Sequence, residues 1–291
     1  MKTFCSQTLY SLALVFIAFN AIAQKDCGFK LSEEEKINFI QSLRTGAFDK
    51  HEVDFEDFEV QVVFHVLYDE DNENVSDEAI LKELSDLNRD FQLLNDDTSR
   101  LSGAFKKLVG NPNIRFRLAA IDPKGNPTNG IIRRRADRRK YTFGKPIFHA
   151  DPIWNSELYM NVYIGNIRNG KTRGYVNSLP WQARSTDAIA LYFGDIGDGT
   201  RLLSHEAGHW FGLWHIIEGG CGETNDGIED TPRQKTFTNN CPTSKSECGN
   251  DCFTMNYMDY SDCRVAFSKG QVARMREIIQ MHRWMLNEPP L

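Results

Sequence analysis

Apolar and polar residues alternate in several stretches of the chain, and that period of two marks strands. Val60, Val62, Phe64, Val66 and Tyr68 form the first stretch and open a packed domain near Phe58. Ile114, Phe116, Leu118 and Ala120 alternate with Arg115 and Arg117, and Leu158, Met160, Val162 and Ile164 repeat the pattern. Ala188 to Phe193 is a short apolar run of strand length. Elsewhere the period lengthens to that of a helix. Ser76 is placed to cap a helix whose stripe is Ile80, Leu84, Leu87 and Phe91. Arg201 to Leu213 reads as a second helix. Ser268-Lys-Gly-Gln271 has the form of a capping box and opens a last helix, with Val272, Met275 and Ile279 on one face. Residues 216 to 266 show no clean period. The pattern predicts an α+β fold: a twisted sheet with two large helices packed on it, and an irregular lower part.

The N-terminal stretch changes the domain boundaries. Lys2, the apolar run Leu9 to Phe19 and the small-residue site Ala21-Ile22-Ala23 form a signal peptide, residues 1–23, too short for a membrane anchor. Residues 24–57 look like an appendage, with a helical stretch from Ser32 to Leu43 and then the acids Glu52, Asp54, Glu56, Asp57 and Glu59. They are expected to be a pro-segment, and residues 58–291 the main domain. The mature protein should be secreted, to the extracellular space or a periplasm, without membrane attachment. Formal charge is −6, and removal of a leader with one Lys and no acid leaves −7. An acidic chain argues against a nucleic-acid partner. Cys5 leaves with the leader. The even set that remains, Cys27, Cys221, Cys241, Cys248, Cys252 and Cys263, predicts disulfides in an exported chain, concentrated between 221 and 263.

The segment His205-Glu206-Ala207-Gly208-His209-Trp210-Phe211-Gly212-Leu213-Trp214-His215 carries the chemistry. Residues four apart share a helix face, so His205 and His209 can point at one ion. Glu206 lies about 100° round the axis from His205, beside the ion rather than on it. Gly212 can end the helix and turn the chain, which brings His215 to the ion from a third direction. Three neutral nitrogens with one open position describe a catalytic zinc site, not a structural one. Glu206 is then the general base for water attacking a carbonyl, and the expected reaction is peptide-bond hydrolysis in protein or peptide substrates.

With the long zinc motif in place, the sequence resembles the metzincin peptidases, and within them the pappalysin family. The likeness runs from about residue 58 to 282. It includes Asn88-x-x-Phe91, Thr128-Asn129-Gly130-Ile131, the zinc helix, Asp230-Thr231-Pro232, Cys241-Pro242, Asn256 to Tyr260 and Phe267-x-x-Gly270-Gln271. The resemblance implies a metzincin-like catalytic domain, with a mixed sheet, an active-site helix, a backing helix and a disulfide-bonded C-terminal subdomain. It implies that Met258 forms an apolar floor under the zinc ligands and that Tyr260 hydrogen-bonds the developing negative charge. It also implies the bridges Cys221–Cys248 and Cys241–Cys263. Cys252 and Cys27 are then extra: either they form a third bridge, which parity favours, or Cys27 is a pro-segment thiolate that takes the open zinc position. Asp54 or Asp57 could take that position instead. The loop around Asp226, Asp230 and Thr231 suits calcium, which the family binds in that neighbourhood.

Two other readings compete. Thermolysin-like enzymes use the same two histidines with a downstream acid, and Glu229 stands at a conceivable distance. A secreted binding or adhesion protein on a peptidase-like scaffold would have lost the Glu, yet Glu206 is present. Asp262 suggests a preference for basic residues, which Arg264 nearby opposes. The basic run Arg133 to Lys140 reads as a solvated loop, and His65 and His149 as structural. The oligomeric state is not specified by the sequence.

Overall fold

The computed structural model describes residues 26–288, apart from residues 30, 47, 138, 140–146, 168–171, 183 and 224. The leader, its cleavage site and part of the basic run lie outside the described residues. No helix among the described residues is long and apolar enough to cross a membrane. An N-terminal arm contains β1 (Asp26–Cys27) and α1 (Glu33–Thr45). Next come β2 (Glu59–Tyr68), α2 (Asp77–Phe91), α3 (Gly103–Lys106), β3 (Val109–Gly110), β4 (Arg115–Leu118), β5 (Ile131–Arg135) and β6 (Tyr159–Gly165). After β7 (Thr172–Val176) and β8 (Ile189–Tyr192), α4 (Leu202–Trp210) carries the zinc motif. A hairpin of β9 (Ser246–Glu247) and β10 (Asn250–Asp251), then β11 (Phe267–Ser268) and α5 (Lys269–Ile278), lead to the C-terminus.

The large sheet has seven strands in the order β1-β7-β8-β6-β2-β4, with β5 also pairing β2. β7 runs antiparallel to β8, while the other pairs are parallel, so the sheet is mixed. β2 is its hub: it pairs β6 on one side, and β4 then β5 along the other. Between the alternating apolar residues, Gln61, Val63, His65 and Leu67 are buried as well. The second face is covered by its own apolar clusters, around Tyr159 and around Tyr163. His65 is accommodated there by Asp151 at 2.6 Å and Asn161 at 3.1 Å, a structural role.

Val60, Val62, Phe64 and Val66 face the main core, where they meet Ile80, Leu84, Leu87 and Phe91 of α2 and Leu203, Ala207 and Trp210 of α4. Burial of such side chains contributes roughly 1.5–3 kcal/mol each, which is of the size needed to offset the roughly 1–2 kcal/mol per residue cost of ordering the backbone. Serine caps start three helices, two of them, at Ser76 and Ser268, as the sequence predicts. Ser76 Oγ accepts from Ala79 N at 3.3 Å, and Ser32 and Ser268 form capping boxes with Glu35 and Gln271. α4 is shorter than the expected Arg201 to Leu213. Arg201 adopts a left-handed conformation before it, and the chain leaves the helix after Trp210. Part of the basic run is not a loop: Arg133, Arg134 and Arg135 belong to β5, where Arg133 and Arg135 pair with Asp77 and Asp71.

The lower part is irregular and stapled, with Cys221 bonded to Cys248 and Cys241 to Cys263, the pairing that the resemblance implied. The expected third bridge is absent. Cys27 and Cys252 are both free and buried, and Cys27 lies at the histidine cluster instead.

Candidate zinc centre

α4 buries its whole length from Leu203 to Trp210, so its histidines sit in a dry interior. His205 Nδ1 donates to the Tyr257 carbonyl at 2.6 Å, and His209 Nδ1 to the Leu213 carbonyl at 2.8 Å. These bonds fix the tautomer and leave each Nε2 with a bare lone pair. Gly212 has φ +86°, a left-handed conformation that a side chain disfavours, and it turns the chain so that His215 comes back toward α4. His209 Nε2 then lies 3.2 Å from His205 Nε2 and 3.1 Å from His215 Nε2. The bare acceptors of His205 and His209, 3.2 Å apart, repel unless a cation lies between them. The donor set therefore fits zinc: three neutral imidazoles on one side and an open approach on the other. Burial pushes all three imidazoles below their ordinary 6.5; for His205 the next causes are His215 and Arg264, and for His209 they are His215 and His205. Neutral rings are the form that ligates.

Glu206 is buried beside the cluster, and burial raises its carboxyl to about 8. Its Oε1 has no partner among the described residues. Tyr260 Oη is 3.4 Å from His215 Nε2, and its ring stacks on Phe237 at 3.7 Å. Met258 is fully buried under α4, and Gly208 is the residue that lets it approach: a Cβ there would come within 2.5 Å of the Met258 sulfur. Asn256 and Gln271 exchange two side-chain hydrogen bonds, at 2.8 and 3.0 Å, which tie this turn to α5.

The open side is filled by the arm. Cys27 Sγ belongs to the same group as the histidines, with all ligating atoms within 4.8 Å of one another. Its thiol donates to Glu206 Oε2 at 3.5 Å, its backbone N–H donates to Tyr260 Oη at 3.0 Å, and Phe29 stacks on His209 at 4.0 Å. Burial, then the Glu206 charge, pushes the thiol well above its ordinary value. β1 reaches this place by pairing with the outer edge of β7. Asp54 and Asp57, the other candidates for this position, are exposed and outside the cluster.

Glu229 is exposed and outside the cluster, whereas His215 is in it, which rules against the thermolysin-like ligand set. The calcium candidates do not converge fully. Thr231 Oγ1 donates to Asp226 Oδ1 at 2.6 Å, but Asp230 accepts from Ser268 Oγ and Gly270 N at the start of α5. Asp226 is buried, with Oδ2 unpartnered, and burial raises it to about 7. Asp262 is exposed, while Arg264 is buried and lines a cavity with Cys27, His205 and Tyr260. Sequence reasoning left open the placement of Cys27 and missed Phe29 and Phe237; none of these has a spacing signal, since Cys27 precedes Glu206 by 179 residues.

The family model Peptidase_M43, described as pregnancy-associated plasma protein-A, matches residues 145–280. Mature mirolysin of Tannerella forsythia, solved in complex with a cleaved peptide, is 32% identical, with a TM-score of 0.70 over 80% of this chain and 98% of that one. The chain belongs to the pappalysin family. A promirolysin mutant from the same organism is 29% identical and has a TM-score of 0.79 over 90% of this chain and 96% of that one. An extracellular metalloprotease of Arthroderma gypseum is 27% identical over 92% of this chain and 88% of its own length. Family membership makes the chain a zinc metalloendopeptidase of metzincin fold, acting on proteins or peptides.

Proposed function

We propose that this pappalysin is a secreted endopeptidase, made as a latent precursor, that hydrolyses peptide bonds with His205, His209 and His215 holding zinc and Glu206 as general base. The carrying observation is the convergence of the three Nε2 atoms beside the partnerless Oε1 of Glu206. Zinc bound there supplies Lewis acidity, polarising the carbonyl and lowering the pKa of water. Glu206 takes a proton from the attacking water and returns it to the leaving amine, so water adds across the broken C–N bond. Tyr260 donates a hydrogen bond to the charge that develops on the carbonyl oxygen. Met258 supports the ligands from below.

Latency rests on Cys27. Its Sγ stands where a fourth ligand would stand, and a thiolate there would be a strong one. The likeness to the pro-form covers 90% of this chain and that to the mature form 80%, which supports reading residues 24–57 as a removable segment. Export by the leader fits relatives named extracellular metalloproteases. Calcium near Asp226 is supported by its buried, unpartnered oxygen, with Thr231 beside it; Asp230 is engaged elsewhere. The expected preference for basic residues would rest on Asp262, which is exposed and does not line the cavity beside the cluster.

The test is cleavage of an unbiased peptide library by the zinc-loaded protein, activated by limited proteolysis within the arm. Cleavage that vanishes in Glu206→Ala, with zinc still bound, is the expected result. No cleavage by the activated wild type would favour the binding-protein reading.

A further inference from the structure

Next to the zinc ligands a small cavity of about 20 Å³ is lined by Cys27, Arg173, Thr200, Leu202, His205, Tyr260 and Arg264. It is small while the arm is in place, because Cys27 forms part of its wall. Two of the lining residues are cations, and none is an acid. The two cations differ. Arg173 is neutralised by a two-pronged pair with Asp195, which is buried. Arg264 is 7% exposed, and its side chain is held by carbonyls: Nη1 donates to Asp259 O at 3.3 Å, and Nη2 to Thr200 O at 2.6 Å. Its Nε–H is buried with no partner. Among the described residues no carboxylate pairs with it within 4.0 Å. The acids that bear on it electrostatically are Asp259, Asp262 and Glu206. Asp259 is engaged by Thr238 N, Gln234 Nε2 and Tyr260 N, and Asp262 is exposed. A buried guanidinium with an unused donor is costly unless its partner arrives from outside.

Building on the peptidase reading, we infer that Arg264 is a specificity-determining residue, and that the pocket accepts an acidic side chain, Glu or Asp, directly beside the cleaved bond. The pocket shares His205 and Tyr260 with the reacting centre, so a side chain that fills it must belong to a residue adjoining that bond. The carboxylate meets the Nε–H of Arg264 in a dry site, where a charge-assisted bond is strong and a basic side chain is repelled. Departure of Cys27 opens the space.

The experiment uses zinc-loaded full chain activated by limited proteolysis in the arm. Two matched peptide series carry Glu, Gln, Ala or Arg, one immediately before and one immediately after the cut bond. In one series Glu should exceed Gln in kcat/KM by about tenfold or more, with Arg lower still. Arg264→Gln should bring Glu and Gln to within about threefold of each other while the Gln peptide is still cut, and Arg264→Lys should keep a weakened preference. A wild-type preference for Arg or Ala at both positions overturns the inference, as does a Glu preference that survives Arg264→Gln. Calorimetric binding of the Glu and Gln peptides to zinc-loaded, likewise activated Glu206→Gln protein needs no turnover. Tighter binding of Glu peptides that is lost on adding Arg264→Gln supports the pocket, and equal binding sinks it. Failure to cut any peptide would count against the peptidase reading alone.

Discussion

The zinc centre has a floor and a roof, and they are built in different ways. The floor comes from α4, the turn at Gly212 and the Met258 segment, all held by buried hydrogen bonds and the main core. The roof is a two-residue strand and one stacked phenylalanine, delivered by an arm that pairs with a sheet edge. A floor of this kind must persist through every turnover, whereas a roof that packs through a satellite cluster can leave. Local stability follows buried contact, so the arm is the region expected to open first.

The sharpest way to break this contrast is at the floor. His215→Ala should weaken zinc binding by at least about 100-fold and abolish cleavage, while Glu229→Ala keeps both, as measured by zinc content after dialysis. Equal loss in the two variants would restore the thermolysin-like ligand set. At the roof the effect should have the opposite sign. Cys27→Ala in the unprocessed chain should raise peptide cleavage by about tenfold or more, the factor that 1.4 kcal/mol of lost plug affinity gives, with zinc content unchanged. Unchanged latency would remove Cys27 as the plug. Next in size is the fit between helix and turn. Gly208→Ala drives a methyl against the Met258 sulfur and should cost about 1–3 kcal/mol in denaturant unfolding, with a normal melt arguing against a tight floor.

The smallest effect is a pH dependence outside the centre. Burial, then Arg184 and Arg283, lower His282 from 6.5 to about 4, so the folded protein holds it neutral. Its contribution to stability is present in full above pH 6.5 and fades as pH falls through about 4. His282→Gln should flatten the urea midpoint between those values; an unaltered slope would mean that other groups set the acid limb.

What the sequence disclosed follows the range of the interactions. The histidine cluster was legible because its three members lie within eleven residues, and helix geometry alone brings two of them together. β2, α2 and the caps at Ser76 and Ser268 were legible for the same local reason. Strand β5 was hidden in a basic run, whose Arg133 and Arg135 reach out of the strand to Asp77 and Asp71. β7 went unread because its pairing to β8 and β1 is settled by the sheet. Cys27 is the extreme case. Counting cysteines favoured a bridge to Cys252, but tertiary placement put its sulfur among the histidines. Asp262 and Arg264 are two residues apart, and only the fold decides that the cation is buried and the acid is not.

The way α1 is anchored has an optical consequence. Its Phe39 stacks on Trp181 at 3.9 Å and meets Trp214 at 5.9 Å, and His51 further along the arm stacks on Trp284 at 4.1 Å, so three of the five tryptophans take part of their surroundings from the arm. If the arm departs as proposed, these three indoles gain contact with water, and their fluorescence should shift to longer wavelength and relax differently. Trp210, seated under the Arg283 guanidinium in the main core, stays as it was and serves as an internal reference. The molecule thus carries its own dye for the moment at which its site opens, readable without any added substrate.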